Sequence, residues 1–113
     1  MTDLAKLKIE KLCEKLSISY ARLLDFGQYD ELAELFTINS VLHAGVLLEG
    51  RENIRLGLHK RSAKLRSRHV LTNIQTEILG GKTAKGVSYL SLYRHIGVKA
   101  LLAKLLNSMA PQQ

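Results

Sequence analysis

Two alternating runs on either side of a glycine pair restrict this chain more than any other feature. Val70, Thr72, Ile74, Thr76 and Ile78 alternate with His69, Leu71, Asn73, Gln75 and Glu77, and beyond Gly80-Gly81 the stretch 83–94 alternates Val87, Tyr89, Ser91 and Tyr93 with Ser88, Leu90 and Leu92. A period of two over such lengths signals strands, and the glycine pair between them signals a hairpin. With Gly80-Gly81 as the whole loop, His69 stands opposite Leu92, Leu71 opposite Leu90 and Asn73 opposite Ser88. On the other face Thr72 meets Tyr89 and Val70 meets Ser91. Both faces then carry apolar side chains, so two covers are needed: helices on one side and a partner subunit or another element on the other.

Material for a helical cover precedes the hairpin. Leu4, Leu7, Leu12, Leu16, Tyr20, Leu23 and Leu24 recur mostly every three to five residues among Lys and Glu, which predicts an amphipathic helix over 4–24. Gly27 suits the left-handed residue that closes a helix, and Asp30 and Glu31 suit the first turn of a second helix carrying Leu32, Ala33, Leu35 and Phe36. The stretch 37–48 is rich in β-branched residues and has no helical stripe, which predicts one or two short strands. After Gly50, a third helix over 51–61 would bury Ile54 and Leu58, with Leu65 as a candidate continuation of the stripe and Gly57 as a weak point. Past the hairpin, Val98, Leu101, Leu102, Leu105, Leu106 and Met109 mark a short amphipathic helix at about 97–109. Without repeats or linkers, 113 residues that are 46% hydrophobic and 24% charged read as one domain spanning 1–113.

Several function classes are disfavoured. No apolar run reaches the roughly 20 residues of a membrane span, and the charged N-terminus lacks a secretory core, so a soluble, cytoplasmic protein is expected with no membrane partner. Cys13 is the only cysteine, which removes intramolecular disulfides and cysteine-based metal centres. His43 and His95 are scattered, and the glycines lie outside any strand-to-helix phosphate loop; neither a metal nor a cofactor is expected. The net charge of +7 comes largely from Arg51, Arg55, Lys60, Arg61, Lys64, Arg66 and Arg68, among which Glu52 is the only acid. No aromatic residue lies between Phe36 and Tyr89, so this segment fits a solvated basic face or a pocket rim that attracts anionic substrates better than a nucleic-acid surface.

Four blocks carry a family resemblance: residues 20–36, including Leu23-Leu24-Asp25-Phe26-Gly27 and Tyr29-Asp30-Glu31-Leu32; Leu48-Glu49-Gly50-Arg51-Glu52-Asn53-Ile54; Arg68-His69-Val70-Leu71-Thr72-Asn73; and Ser88-Tyr89-Leu90-Ser91-Leu92-Tyr93-Arg94. With the order of elements, they resemble the SnoaL-like branch of the nuclear transport factor 2-like superfamily over about residues 4–95. The resemblance implies an α+β cone, in which a curved, mainly antiparallel sheet wraps a long N-terminal helix and leaves an apolar pocket open at one end. Members include scytalone dehydratase, polyketide cyclases and ketosteroid isomerase besides non-enzymatic relatives, so the fold alone selects no activity.

By resemblance, Asp25 and His69 stand where the dehydratase members carry a catalytic Asp–His dyad, in which the imidazole takes a proton and the carboxylate fixes its tautomer. The residues alone leave other readings open. Asp25 suits a helix-end carboxylate paired with Arg22, and His69 a strand-start histidine satisfied by backbone or solvent. Tyr20, about 140° around the helix from Asp25, could line the pocket or pack in the core. Leu71, Asn73, Leu90 and Leu92 share the His69 face and are candidate ligand contacts. The implied partner is a small apolar or polyketide-like molecule, handled without a cofactor by a protein that dimerises through its outer sheet face. Typical members continue into further strands after the position of Arg94. Here His95-Ile96-Gly97 leads instead toward the short helix, so a cone shortened at its C-terminal end is expected. A non-catalytic ligand-binding or oligomerisation module is the alternative.

Overall fold

The computed structural model describes residues 1–96; the helix expected at about 97–109 lies outside the described residues. Helix α1 runs Asp3–Asp25. The Thr2 hydroxyl accepts the Ala5 N–H at 3.1 Å and so satisfies one of the helix's free donors. At the other end Gly27 takes the left-handed conformation, φ 69°. Its N–H donates to Leu24 O at 3.2 Å while Gln28 N–H donates to Leu23 O at 2.9 Å. This pair of bonds ends the helix sharply and fixes Asp25 in its last turn.

Helix α2 is a single turn, Tyr29–Ala33, that buries Leu32 and Ala33. The β-rich stretch forms a small antiparallel hairpin of β1, Val41–His43, and β2, Leu47–Glu49, around Gly45. Helix α3, Arg51–His59, buries Ile54 and Leu58 as its spacing predicts. Leu65 does not continue that stripe: it opens the next strand instead. Leu24, Leu32, Ile54 and Leu58 form the core, and Tyr20, Leu23, Tyr29, Phe36, Leu42 and Leu48 pack against it. Gly57 lets α3 settle onto β2, since a Cβ there would lie 2.7 Å from Leu48 Cδ1.

Strands β3, Leu65–Ile78, and β4, Ala84–Ile96, form the long antiparallel hairpin, with α1 lying on β3. Near the base the expected register holds: His69 pairs with Leu92, Val70 with Ser91, Leu71 with Leu90 and Thr72 with Tyr89. Asn73 does not pair with Ser88, which corrects the simple register. The next pair is Gln75 with Val87, so Asn73 and Ile74 together oppose Ser88, and Asn73 adopts φ 53°. This is a β-bulge, and asparagine is one of the few non-glycine residues that accept that conformation readily. The loop is also longer than Gly80-Gly81, because the last pair is Ile78 with Ala84 and the N–H groups of Leu79 and Gly80 both reach Thr83 O. One extra residue in the loop is cancelled by one extra residue in β3, which is why the pairing at His69 comes out as expected.

The bulge also settles how this strand presents its two faces. Before it, Ser67, His69 and Leu71 are more protected than Val70 and Thr72; after it, Ile74, Thr76 and Ile78 are more protected than Gln75 and Glu77. The β-branched set thus does not form one continuous face. Its lower part, Val70 and Thr72, is exposed, while Ile74, Thr76 and Ile78 join His69 and Leu71 on the more protected side.

Candidate active site

Asp25 sits where an acid is least welcome on a helix, in the last turn with the free carbonyls. Its charge is stabilised from outside the helix by β3. Ser67 and His69, two residues apart, project to the same side of the strand. The Ser67 hydroxyl donates to Asp25 Oδ1 at 3.0 Å, His69 Nδ1 lies 2.5 Å from the same oxygen, and the His69 backbone N–H donates to Oδ2 at 2.8 Å. Asp25 and His69 side chains are only 6% and 11% exposed. Burial pushes the Asp25 carboxyl up, but donation from the His69 ring, the His69 backbone and Ser67 outweighs it and holds the group below the usual carboxylate range. An ionised carboxylate can only accept, so Nδ1 carries the proton and the lone pair of neutral His69 lies on Nε2. Nε2 has no hydrogen-bond partner among the described residues.

A layer of cations backs this arrangement. Arg61 donates to Leu24 O at 3.0 Å and reaches Ser67 Oγ at 3.5 Å, with its guanidinium 5.8 Å from the Tyr29 ring centre. Arg68 is buried, donates to Ser67 O at 2.6 Å and lies 4.7 Å over the Phe26 ring. These two arginines therefore do not belong to a solvated basic face. Ser67 is the contact that reading the residues overlooked. Its signal was its place two positions before His69, but it becomes visible only once β3 is known to begin at Leu65.

Tyr20 packs against the core, edge-to-face with Phe36 at 6.1 Å between ring centres. Burial raises its phenol above the ordinary value, partly offset by the charge of Arg61. Leu71 and its cross-strand neighbours Leu90 and Leu92 extend the His69 side of the hairpin, with Leu90 55% and Leu92 42% exposed. Asn73 is exposed in the bulge and lies off the alternation that would have placed it beside His69. Among the described residues no group of three His, Cys, Asp or Glu side chains is placed to hold a metal ion, and no helix is long and apolar enough to cross a membrane.

A long helix laid on a bulged antiparallel hairpin, with a second helical pair closing one end, is an NTF2-like α+β architecture. The chain belongs to the SnoaL-like family: the profile of the SnoaL-like domain matches residues 6–103. Solved structures agree on the fold. A protein assigned as a scytalone dehydratase from Novosphingobium aromaticivorans superposes with a TM-score of 0.75 at 20% identity, over 88% of this chain and 68% of that one. A protein from Catenulispora acidiphila gives 0.70 at 21% identity, over 84% and 76%. ActVI-ORFA from Streptomyces coelicolor gives 0.65 at 19% identity, over 84% and 75%. At these identities the likeness establishes the fold and leaves the chemistry to be argued from the site. Among curated proteins none matches the chain in sequence.

Proposed function

We propose that this protein binds a small apolar or polyketide-like molecule and acts on it as a cofactor-independent lyase or isomerase, with His69 as general base and Asp25 as the residue that orients it. The reading rests on one observation: Asp25 accepts from both the ring and the backbone of His69, which directs the basic nitrogen, Nε2, away from the carboxylate. A substrate C–H or O–H proton would pass to Nε2, and the imidazolium formed would be stabilised by a carboxylate that needs no rearrangement to receive it. Loss of a leaving group completes an elimination; return of the proton to another carbon completes an isomerisation. Leu71, Leu90 and Leu92 supply an apolar surface on the same side, and Tyr20 could reach its edge. We place the whole chain in one domain that dimerises through its outer sheet face, where Tyr89 and Tyr93 stand exposed.

The test is ring ¹⁵N NMR of His69 in the wild type and in Asp25→Asn, followed by a screen of hydroxylated and halogenated apolar compounds. Neutral His69 should carry its proton on Nδ1 in the wild type and lose that bias in the variant. His69→Ala should abolish turnover of any substrate found. An unbiased tautomer in the wild type, or a His69→Ala variant with full turnover, overturns the mechanism. The exposure of Leu90 and Leu92 favours a second reading, a binding module without catalysis, for which ligands would bind equally well to His69→Ala and remain unchanged.

A further inference from the structure

The basic run turns partly inward. His59, Arg61, Arg66 and Arg68 line a cleft of about 490 Å³ that has Asp25 and Ser67 in its wall but not His69. Among the described residues Asp25 is the only acid lining it, and the Asp25 oxygens already accept from Ser67 and His69. His59 is matched by Asp30 at 2.8 Å, while Arg61 and Arg66 bring two further guanidinium groups to a cleft whose one carboxylate is already engaged.

The guanidinium groups are also held in place. Arg61 is anchored by Leu24 O and Tyr29, and Arg68 by Ser67 O and Phe26. Arg66 donates to Ala63 O at 3.2 Å and Leu65 O at 3.3 Å through Nη1 alone, leaving its other nitrogens without a partner among the described residues. Fixed guanidinium forks match the two oxygens of a carboxylate or phosphate and lose little freedom on binding them. The volume exceeds that of a bare tetrahedral anion, which leaves room for a small organic body.

We propose that this cleft, which shares the Asp25–Ser67 wall with the candidate active site, binds the oxyanion group of a small molecule, a carboxylate or a phosphate.

The 113-residue chain, ¹⁵N-labelled, is titrated with sodium phosphate and separately with sodium benzoate, each against sodium chloride at equal ionic strength. Amide shifts over 61–68 should saturate with at least one oxyanion and not with chloride. Saturation by phosphate alone assigns a phosphate group, by benzoate alone a carboxylate on an apolar body, and by both the shared oxyanion chemistry. Arg66→Gln should weaken binding about tenfold, whereas Lys82→Gln, which removes the same charge from the distant hairpin loop, should leave it unchanged. Shifts no larger than those with chloride, or equal affinity in wild type and Arg66→Gln, overturn the proposal. Neither variant touches His69, so this outcome is independent of the dyad test.

Discussion

Asp25 grips His69 twice, through the ring Nδ1 at 2.5 Å and through the backbone N–H at 2.8 Å. The two contacts lock different degrees of freedom. The backbone bond sets the height of α1 along β3, and the ring bond sets the imidazole's rotation and tautomer. A histidine held by its ring alone could swing as the helix shifts against the strand; this one moves only if the strand and helix part.

The acid limb of stability should carry the signature of Asp25. Its folded-state carboxyl lies below the ordinary value of 3.8 because donation from His69 and Ser67 outweighs burial. The unfolded chain therefore takes up this proton first as pH falls. The contribution is intact above the unfolded value and is lost as pH drops through the folded one. Denaturant unfolding from about pH 5 downward should show a steep loss for the wild type and a shallower one for Asp25→Asn. Parallel curves would show that Asp25 titrates alike in both states.

Ser67→Ala removes one of the three donors to the carboxylate and should cost about 1.5–3 kcal/mol, the range for a hydrogen bond to a charged group. The same change should move the Asp25 carboxyl back up, which carboxyl ¹³C NMR reads directly. Stability equal to wild type with an unmoved carboxyl would mean that water replaces the hydroxyl at no cost.

Gly57 sets helix propensity against packing. Alanine in a helix interior gains about 1 kcal/mol over glycine, but the new Cβ would lie 2.7 and 2.8 Å from the two Leu48 methyl carbons and 3.3 Å from Leu48 Cγ. Overpacking costs about 1–3 kcal/mol, so Gly57→Ala should not stabilise the protein. In a Leu48→Ala background the same substitution should recover the helix gain. Thermal denaturation of the four proteins in this cycle decides it.

Asn73 tests the bulge. At φ 53° a β-branched residue is strained, and Asn73→Val should lose about 1–2 kcal/mol, whereas Asn73→Gly should stay within about 0.5 kcal/mol. Equal stability of all three in urea would mean the chain abandons the bulge.

The parts of this fold that depend on repeating patterns were readable in the residues. The existence of α1, the Ile54–Leu58 pair, the helix stop at Gly27 and the pairing of His69 with Leu92 all follow from periodicity or turn chemistry, but the expected α1 stripe holds only toward its C-terminal end: Leu4, Leu7, Leu12 and Leu16 are exposed, and Ala5, Ile9, Cys13 and Ser17 are the more protected positions there. Asp25 and His69 stood out only by family resemblance, since the spacing between them has no signature. The bulge was hidden because alternation continues through Asn73 in the sequence, and only the backbone torsion shows the change of face. Arg61 and Arg68 read as surface charges because composition cannot show that Tyr29 and Phe26 offer their rings beneath them.

The bulge at Asn73 also divides β3 into two stretches with different tolerance to change in length. Gaining or losing one residue near Asn73 could be absorbed by altering the bulge, with the pairs on either side keeping their partners. The same change between Ser67 and His69 would turn one of the two away from Asp25 and dismantle the grip on the imidazole. The distal hairpin can therefore be remodelled by insertion and deletion, while the stretch at its base admits only substitution.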